Sequence, residues 1–431
     1  MVAESAPAWV WLPGATEPVE AAALTVDAGE GRWQFRDDYV EREGTVSPDP
    51  RQLRLRAARK GIVVRQKDGM PGVVRDAMPA GYGADRLDAA SASKLTPMEL
   101  LERGVPDSCG AIEVCKDLQR KLDWVPQKYA KLKDIISLMR ADEPASRAIR
   151  QLTDDASTSA GGERPKVTIQ DDGRLFLVKM QARGDIEYLP HKEYMVMSMA
   201  QASGIRTPVV RLDPVGEHVV YLCERFDRSG DPRKPARKLY ASAHTVLRLD
   251  LDAVKGDPKR SYLGLGDEMR VWCRGSPHLE ADLQELWRRM AFNALVGNAD
   301  DHPRNHGLLF DNGAWRLAPA FDITPISNFV RVLSMATGVD GSSAVTVQRL
   351  LAVCRRFELD VEDAATWLAD TATRIVSTWE EDLRKVGVPE PAIRATESAF
   401  SFAQEVVGDT VGFERAVSEA MVPVKRSRRP G

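Results

Sequence analysis

Paired cysteines are missing from this chain. Cys109, Cys115, Cys223, Cys273 and Cys354 are scattered, and no two form a C-x-x-C pair. That excludes a zinc ribbon or a dithiol redox motif, and an odd, sparse set fits a reducing cytoplasm. Long apolar runs are also absent: none approaches the ~18 residues of a membrane span. The first residues, Met1-Val2-Ala3-Glu4-Ser5, lack the basic segment of a secretory leader. A cytoplasmic protein without membrane association is expected. Neither sign of charge dominates. With 60 Lys and Arg against 63 Asp and Glu, the net charge is -3, which argues against a dedicated nucleic-acid binder. The basic tail Lys425-Arg426-Ser427-Arg428-Arg429 is short and reads as a solvated end. No internal repeat is present.

What is there is an ordinary globular composition, 43% apolar and 29% charged, over 431 residues, enough for two or three lobes with a core each. Residues 1–112 are rich in turns and short strands, with Trp9-Val10-Trp11-Leu12, Leu24-Thr25-Val26 and Gly61-Ile62-Val63-Val64 as candidates. Leu95 to Arg103 reads as a short helix, Thr96 at the N-cap and Pro97 at N1. Residues 115–152 are polar with helical spacing, interrupted at Pro126. A small α+β block follows. Lys166–Ile169 and Arg174–Met180 read as a hairpin around Asp172-Gly173, and Glu193 to Ser203 as a helix stopped by Gly204. Pro208–Leu212 and His218–Cys223 read as further strands. Beyond residue 240 the pattern is mainly helical, broken by a hairpin at Asp311-Asn312-Gly313. The expected fold class is α+β: a bilobal protein-kinase-like fold with a β-rich N-terminal subdomain (1–112), an N-lobe (113–228) and a mainly helical C-lobe (229–431).

The chemistry concentrates in Asn298-Ala299-Asp300-Asp301-His302-Pro303-Arg304-Asn305. An Asp followed after four residues by Asn is the spacing of a kinase catalytic loop, with Asp300 as base and Asn305 as a magnesium ligand. Phe321-Asp322 lies beyond a hairpin, where a second metal ligand is sought. Magnesium requires hard oxygen donors, and phosphates require a Gly-bearing loop and a lysine on a rigid strand. Ser159-Ala160-Gly161-Gly162-Glu163-Arg164-Pro165-Lys166 supplies the first, with Gly161, Gly162 and Lys166 as ATP contacts. Lys179, in an otherwise apolar strand, supplies the second. Glu193 on the next helix is a partner for Lys179. His302 reads as a loop support or a phosphate contact. Asp-Asp-His with His306 beyond it leaves a transition-metal phosphohydrolase site as an alternative.

With these residues assembled, the chain resembles the HipA family, the serine/threonine kinase toxins of bacterial HipBA-type toxin–antitoxin systems. The resemblance covers nearly the whole chain. It is most specific from Leu295 to Ile323, where Gly-Asn-x-Asp-Asp-His-x-x-Asn, a hairpin, Leu-Ala-Pro and Phe-Asp-Ile follow in order. Glu224-Arg225-Phe226-Asp227-Arg228 is similar to the family's hinge, which implies adenine contacts through the backbone of Glu224 and Phe226. Ser159 matches a serine that autophosphorylates in trans, ejecting the loop and silencing the kinase. Gly69 to Asp76 resembles part of the N-terminal subdomain. The chain departs from the family at Leu239 to His244, where some members carry Gln-Glu-Asp, and at Ala80-Gly81-Tyr82-Gly83, where many have Asp-Gly-Trp-Gly.

The resemblance implies an ATP- and magnesium-dependent serine/threonine protein kinase. It implies a toxin that phosphorylates a translation component such as an aminoacyl-tRNA synthetase. The implied partner is a HipB-like helix-turn-helix antitoxin, through which operator DNA is bound indirectly. A kinase-like co-repressor scaffold with little catalysis and a small-molecule kinase are the alternative readings.

Overall fold

The computed structural model describes residues 3–56, 61–64, 66, 68–140, 164, 166–181 and 185–422. Its first sheet has the order β4-β3-β2-β1-β5, from β1 (Glu4–Trp11), β2 (Pro18–Asp27), β3 (Glu30–Phe35), β4 (Ile62–Val64) and β5 (Ile112–Val114). Alternation turns Ala6, Ala8 and Val10 of β1 into the core, where Leu24, Trp33 and Phe35 meet them. The helix Pro97–Arg103 carries the expected cap: the Thr96 hydroxyl accepts from the Glu99 N–H, and the Glu99 carboxylate accepts from the Thr96 N–H.

The second sheet has the order β6-β7-β8-β10-β9. It comprises β6 (Gln127–Lys128), β7 (Lys166–Asp171), β8 (Arg174–Met180), β9 (Val210–Val215) and β10 (His218–Glu224). The β7–β8 turn takes the form its sequence requires, with Asp172 at φ 45° and Gly173 at φ 70°. On one face Val167, Ile169, Phe176, Val178, Met180, Val220 and Leu222 close a separate core with the helix Leu132–Arg140. The opposite face carries Lys179 and Tyr221 toward the helix Leu189–Ala202. That helix starts four residues before the expected Glu193, because Pro190 fits its first turn. Strand β9 likewise starts at Val210 rather than Pro208.

Strands β11 (Arg228–Ser229) and β12 (Ala236–Arg237) lead out of this lobe. Beyond them the chain is mainly helical. The buried helix Leu279–Leu295 packs among Tyr262–Trp272, Val361–Lys385 and Ser401–Gly408. Among the described residues the sheet here is β13-β14-β15, from β13 (Tyr240–Ser242), β14 (Gly307–Asp311) and β15 (Ala314–Leu317). The fold is the expected two-lobed, kinase-like α+β architecture with a β-rich N-terminal unit. Among the described residues no helix is long and apolar enough to cross a membrane.

Candidate active site

Lys179 sits where both lobes meet. Its Nζ lies 2.6 Å from Glu193 Oε1 and 2.6 Å from Asp322 Oδ1. Glu193 is buried, one turn into its helix. The far end of that helix is held to the C-lobe: Trp367 Nε1 donates to the Ser203 carbonyl at 3.0 Å, and Arg374 donates to that of Ala202. Asp322 has φ 59°, a left-handed conformation that costs a non-glycine residue on the order of 1 kcal/mol or more and clusters at functional sites. Burial opposes every charge here. For Lys179 the two carboxylates outweigh burial and hold the ammonium above the ordinary lysine range. For Asp322 burial is outweighed by Lys179 and Lys166, which hold its carboxyl well below the usual range, with His302 contributing. Glu193, dominated by burial, is raised. Lys166, paired in register with Lys179 on the neighbouring strand, is pushed down to about 8 by burial and by the Lys179 charge.

The loop from Asn298 to Asn305 is built on a hydrogen-bonded scaffold. Gly297 ends the helix at φ 64°, so close to the next segment that a Cβ would lie 2.5 Å from the Ala399 carbonyl oxygen. Asn298 Nδ2 donates to Asn293 Oδ1 at 3.1 Å, and Asn293 Nδ2 to the Tyr262 hydroxyl at 2.9 Å. Tyr262 donates to Asp301 Oδ2 at 2.7 Å, and the Ser334 N–H to Asp301 Oδ1 at 2.5 Å. His306 Nε2 lies 3.3 Å from the same Tyr262 oxygen. Burial raises Asp301 to about 6 and, with Arg289 and His302, depresses His306 to about 3. Asp301 and His306 therefore converge on Tyr262, and no cluster of three His, Cys, Asp or Glu side chains suited to a metal ion occurs among the described residues. Asn305 Nδ2 donates to the Asp300 carbonyl at 2.9 Å, which does not engage its Oδ1 and ties these two positions of the loop together. The Asn305 N–H donates to the His302 carbonyl at 2.8 Å. Asn305 and Phe321 line one small cavity, so the loop and the Asp322 segment adjoin.

The segment expected to be the hinge lies at the end of β10. The Glu224 N–H donates to the Val209 carbonyl at 2.9 Å and the Arg225 N–H to that of Leu175 at 2.8 Å. The Phe226 ring lies 5.6 Å from that of Phe321, linking the hinge to the residue before Asp322. Ser159, Gly161 and Gly162 lie outside the described residues. Of the expected phosphate loop, Arg164 and Lys166 are placed.

Several contributors escaped the sequence reading. Arg164 pairs with Asp185 at 2.9 Å and feels Asp322 and Glu193; its position at the end of the Gly-Gly loop was the available signal. Asp227 accepts from Arg225, Arg228 and the Gly110 N–H, and Arg225 also reaches Asp107, at 2.7 Å. The alternating charges of Glu224 to Arg228 hint at such a network, but its partners lie more than a hundred residues away. Tyr262 carried no signal, and Asp76 lay at the end of a segment noted only for its resemblance to the N-terminal subdomain, with no role attached to it.

A lysine bridged to a helix glutamate and to an aspartate beyond an Asp-x-x-x-x-Asn loop, where the two lobes meet, is a kinase-like arrangement. Residues 158–379 match the HipA-like C-terminal domain, and with over half its length so matched the chain belongs to the HipA family. Two similar proteins come from Sinorhizobium fredii (strain NBRC 101917 / NGR234). One, named "Putative kinase Y4mE", is 26% identical over 56% of this chain and 61% of its own length. The other, "Putative kinase Y4dM", is 24% identical over 51% of this chain and 55% of its own. The chain thus spans less than two thirds of the length of each. Among solved structures, HipA in a complex of HipA, HipB and operator DNA from Shewanella oneidensis MR-1 is similar in fold. Its TM-score is 0.68 at 18% identity, covering 94% of this chain and 98% of that one.

Proposed function

We propose that this chain is an ATP- and magnesium-dependent serine/threonine protein kinase, the toxin of a type II toxin–antitoxin pair. The observation that carries the reading is Lys179 Nζ, equidistant from Glu193 and Asp322. That geometry holds a cation rigidly where phosphate charge must be neutralised.

The donor set fits magnesium and a nucleotide triphosphate. Asp322 is kept ionised, leaves about a third of its side chain exposed (34%), and uses Oδ1 for Lys179, so Oδ2 remains available. Asn305 Oδ1 would be the second ligand, and phosphate oxygens complete the hard-oxygen shell magnesium prefers. Magnesium, when bound there, neutralises charge developing on the transferred phosphoryl group. Lys179, Lys166 and Arg164 supply positive charge for the phosphates, with Gly161 and Gly162 in the covering loop. The backbone of Glu224 and Phe226 faces adenine. Asp300 accepts the proton of the acceptor hydroxyl, and His302 supports the loop beside Asp322. Ser159 is the autophosphorylation site. The target is a translation component such as an aminoacyl-tRNA synthetase, and a HipB-like antitoxin is the partner, as in the Shewanella complex, carrying the contact to operator DNA.

The test is incubation with Mg-ATP beside an Asp300→Ala control, with phosphosites mapped by mass spectrometry. Phosphate on Ser159 or a neighbouring hydroxyl in the wild type alone is the expected result. ATP binding without phosphoprotein would move the reading to a small-molecule kinase. Absence of ATP binding would move it to a co-repressor scaffold. Equal labelling of the Asp300→Ala protein would remove Asp300 as the base.

A further inference from the structure

We infer that the N-terminal β-rich unit is part of the catalytic apparatus, with Asp76 a positioning residue for the catalytic loop. The inference rests on the phosphotransfer reading above for its kinetic consequence only. Asp76 ends the short helix Gly72–Asp76, more than two hundred residues before the loop. That helix is pressed onto the C-lobe helix Ala243–Val246: a Cβ on Gly72 would lie 2.6 Å from Thr245 Cγ2 and 2.7 Å from its Oγ1. From there both Asp76 oxygens reach one residue. Oδ2 accepts the Ser242 N–H at 2.7 Å, and Oδ1 accepts the Ser242 hydroxyl at 2.6 Å.

Ser242 is the last residue of β13 and pairs in register with Gly307, the first residue of β14. The next residue, Ala243, donates its N–H to the His306 carbonyl at 2.7 Å. Gly307 has no side chain where the Tyr240 ring lies, so the strands close tightly. His306 and Gly307 directly follow Asn305, whose amide is bound to the Asp300 carbonyl. A continuous path of hydrogen bonds and one short stretch of backbone therefore runs from Asp76 through Ser242 and the β13–β14 rim to Asn305 and Asp300. Electrostatics run the same way. Burial lowers the Arg304 guanidinium on the loop from its ordinary value, Asp76 is the charge that opposes this, and Arg75 and Arg260 add like charge. The Lys179–Glu193–Asp322 cluster uses other contacts, and the hinge meets the rim through the Phe226 ring, 6.2 Å from that of Tyr240, so Asp76 acts mainly on the turnover side of the site.

The experiment compares full-length wild type with Asp76→Ala, Asp76→Asn and Ser242→Ala. The expected kinetic result is a kcat of phosphotransfer about 10–100-fold lower in Asp76→Ala, as a misplacement of about 1 Å produces. KM for ATP stays within about twofold. Asp76→Asn, which keeps one acceptor oxygen, recovers part of the loss, and Ser242→Ala shows a smaller change of the same direction. The double variant Asp76→Ala/Ser242→Ala loses less than the sum of the two, because both break one path. Amide hydrogen exchange is read alongside. Residues 300–307 exchange faster in Asp76→Ala while residues 166–180 do not, and this outcome needs no turnover. If wild type transfers no phosphate, the kinase reading fails while exchange still judges the path. Unchanged exchange at 300–307, or exchange rising equally throughout both lobes, overturns the proposal. So does KM for ATP rising in step with the fall in kcat. Should Asp76→Ala fail to fold, Asp76→Asn and Ser242→Ala decide by the same two readouts.

Discussion

Asp227→Ala tests whether the hinge is held by charge. Asp227 is almost fully buried and its two oxygens accept four hydrogen bonds: Arg225 Nε at 2.8 Å, Arg225 Nη2 at 2.9 Å, Arg228 Nη1 at 2.8 Å and the Gly110 N–H at 2.8 Å. Arg225 would keep Asp107, but Arg228 would keep only carbonyls, those of Ser108, Gly110 and residue 227 itself. Its guanidinium is already pushed down to about 9 by burial, with Asp227 as the main opposing charge. Breaking one side of such a buried pair costs about 3–5 kcal/mol, because the remaining charge is left uncompensated. That is a large share of a stability of about 5–15 kcal/mol. The assay is urea unfolding followed by tryptophan fluorescence, with Asp231→Ala as a control that breaks only the exposed Asp231–Arg233 pair and is expected to show no resolvable change. The sign of the pH dependence follows from the depressed Asp227 carboxyl, where Arg225 and Arg228 outweigh burial. Its contribution is present above the unfolded carboxylate value of about 3.9 and is lost as pH falls below it. The gap between wild type and variant should therefore be constant from about pH 6 to 8 and narrow below about pH 4. A loss under about 1 kcal/mol at neutral pH, or a gap that widens in acid, would refute the reasoning.

Two further outcomes are expected. Gly297→Ala places a side chain at φ 64° and drives its Cβ into the Ala399 carbonyl, so a loss of about 1–3 kcal/mol from the backbone alone, plus the overlap, should appear as a lower melting temperature; an unchanged melt would contradict it. Lys166, at about 8 in the folded chain against about 10.4 when unfolded, should lose its charge as pH rises past 8, so kcat/KM for ATP falls there while folding stability rises up to about pH 10. In Lys166→Arg the fall in kcat/KM should vanish; a profile identical to wild type would remove Lys166 from the phosphate site.

The parts of this fold that could be read in advance are those whose cause is local. Asp172-Gly173 dictates its own hairpin through φ, and Thr96-Pro97 with Glu99 dictates its own helix start. The Asp300 to Asn305 loop was legible because its chemistry-bearing groups are contiguous. Lys179 and Glu193 were legible as a lone charge in an apolar strand and an acid on the next helix. The reading of Asp301-His302 with His306 as a metal alternative shows the limit. The composition permitted it, and only Tyr262, brought in from another helix, shows where Asp301 and His306 are engaged.

By itself, then, the sequence determined the element types, the two-lobed order and the residue types available for phosphoryl chemistry, because propensity, capping and turn geometry act over a few residues. Tertiary structure alone decided that Lys179 stands between Glu193 and Asp322, that Asp322 adopts a left-handed backbone, and that Asp76 and Asp107 reach the loop rim and the hinge. Those contacts join residues up to more than a hundred positions apart. Their pairing is set by which faces must be buried together, and by the need of each buried charge for a partner, conditions that no local stretch of sequence contains.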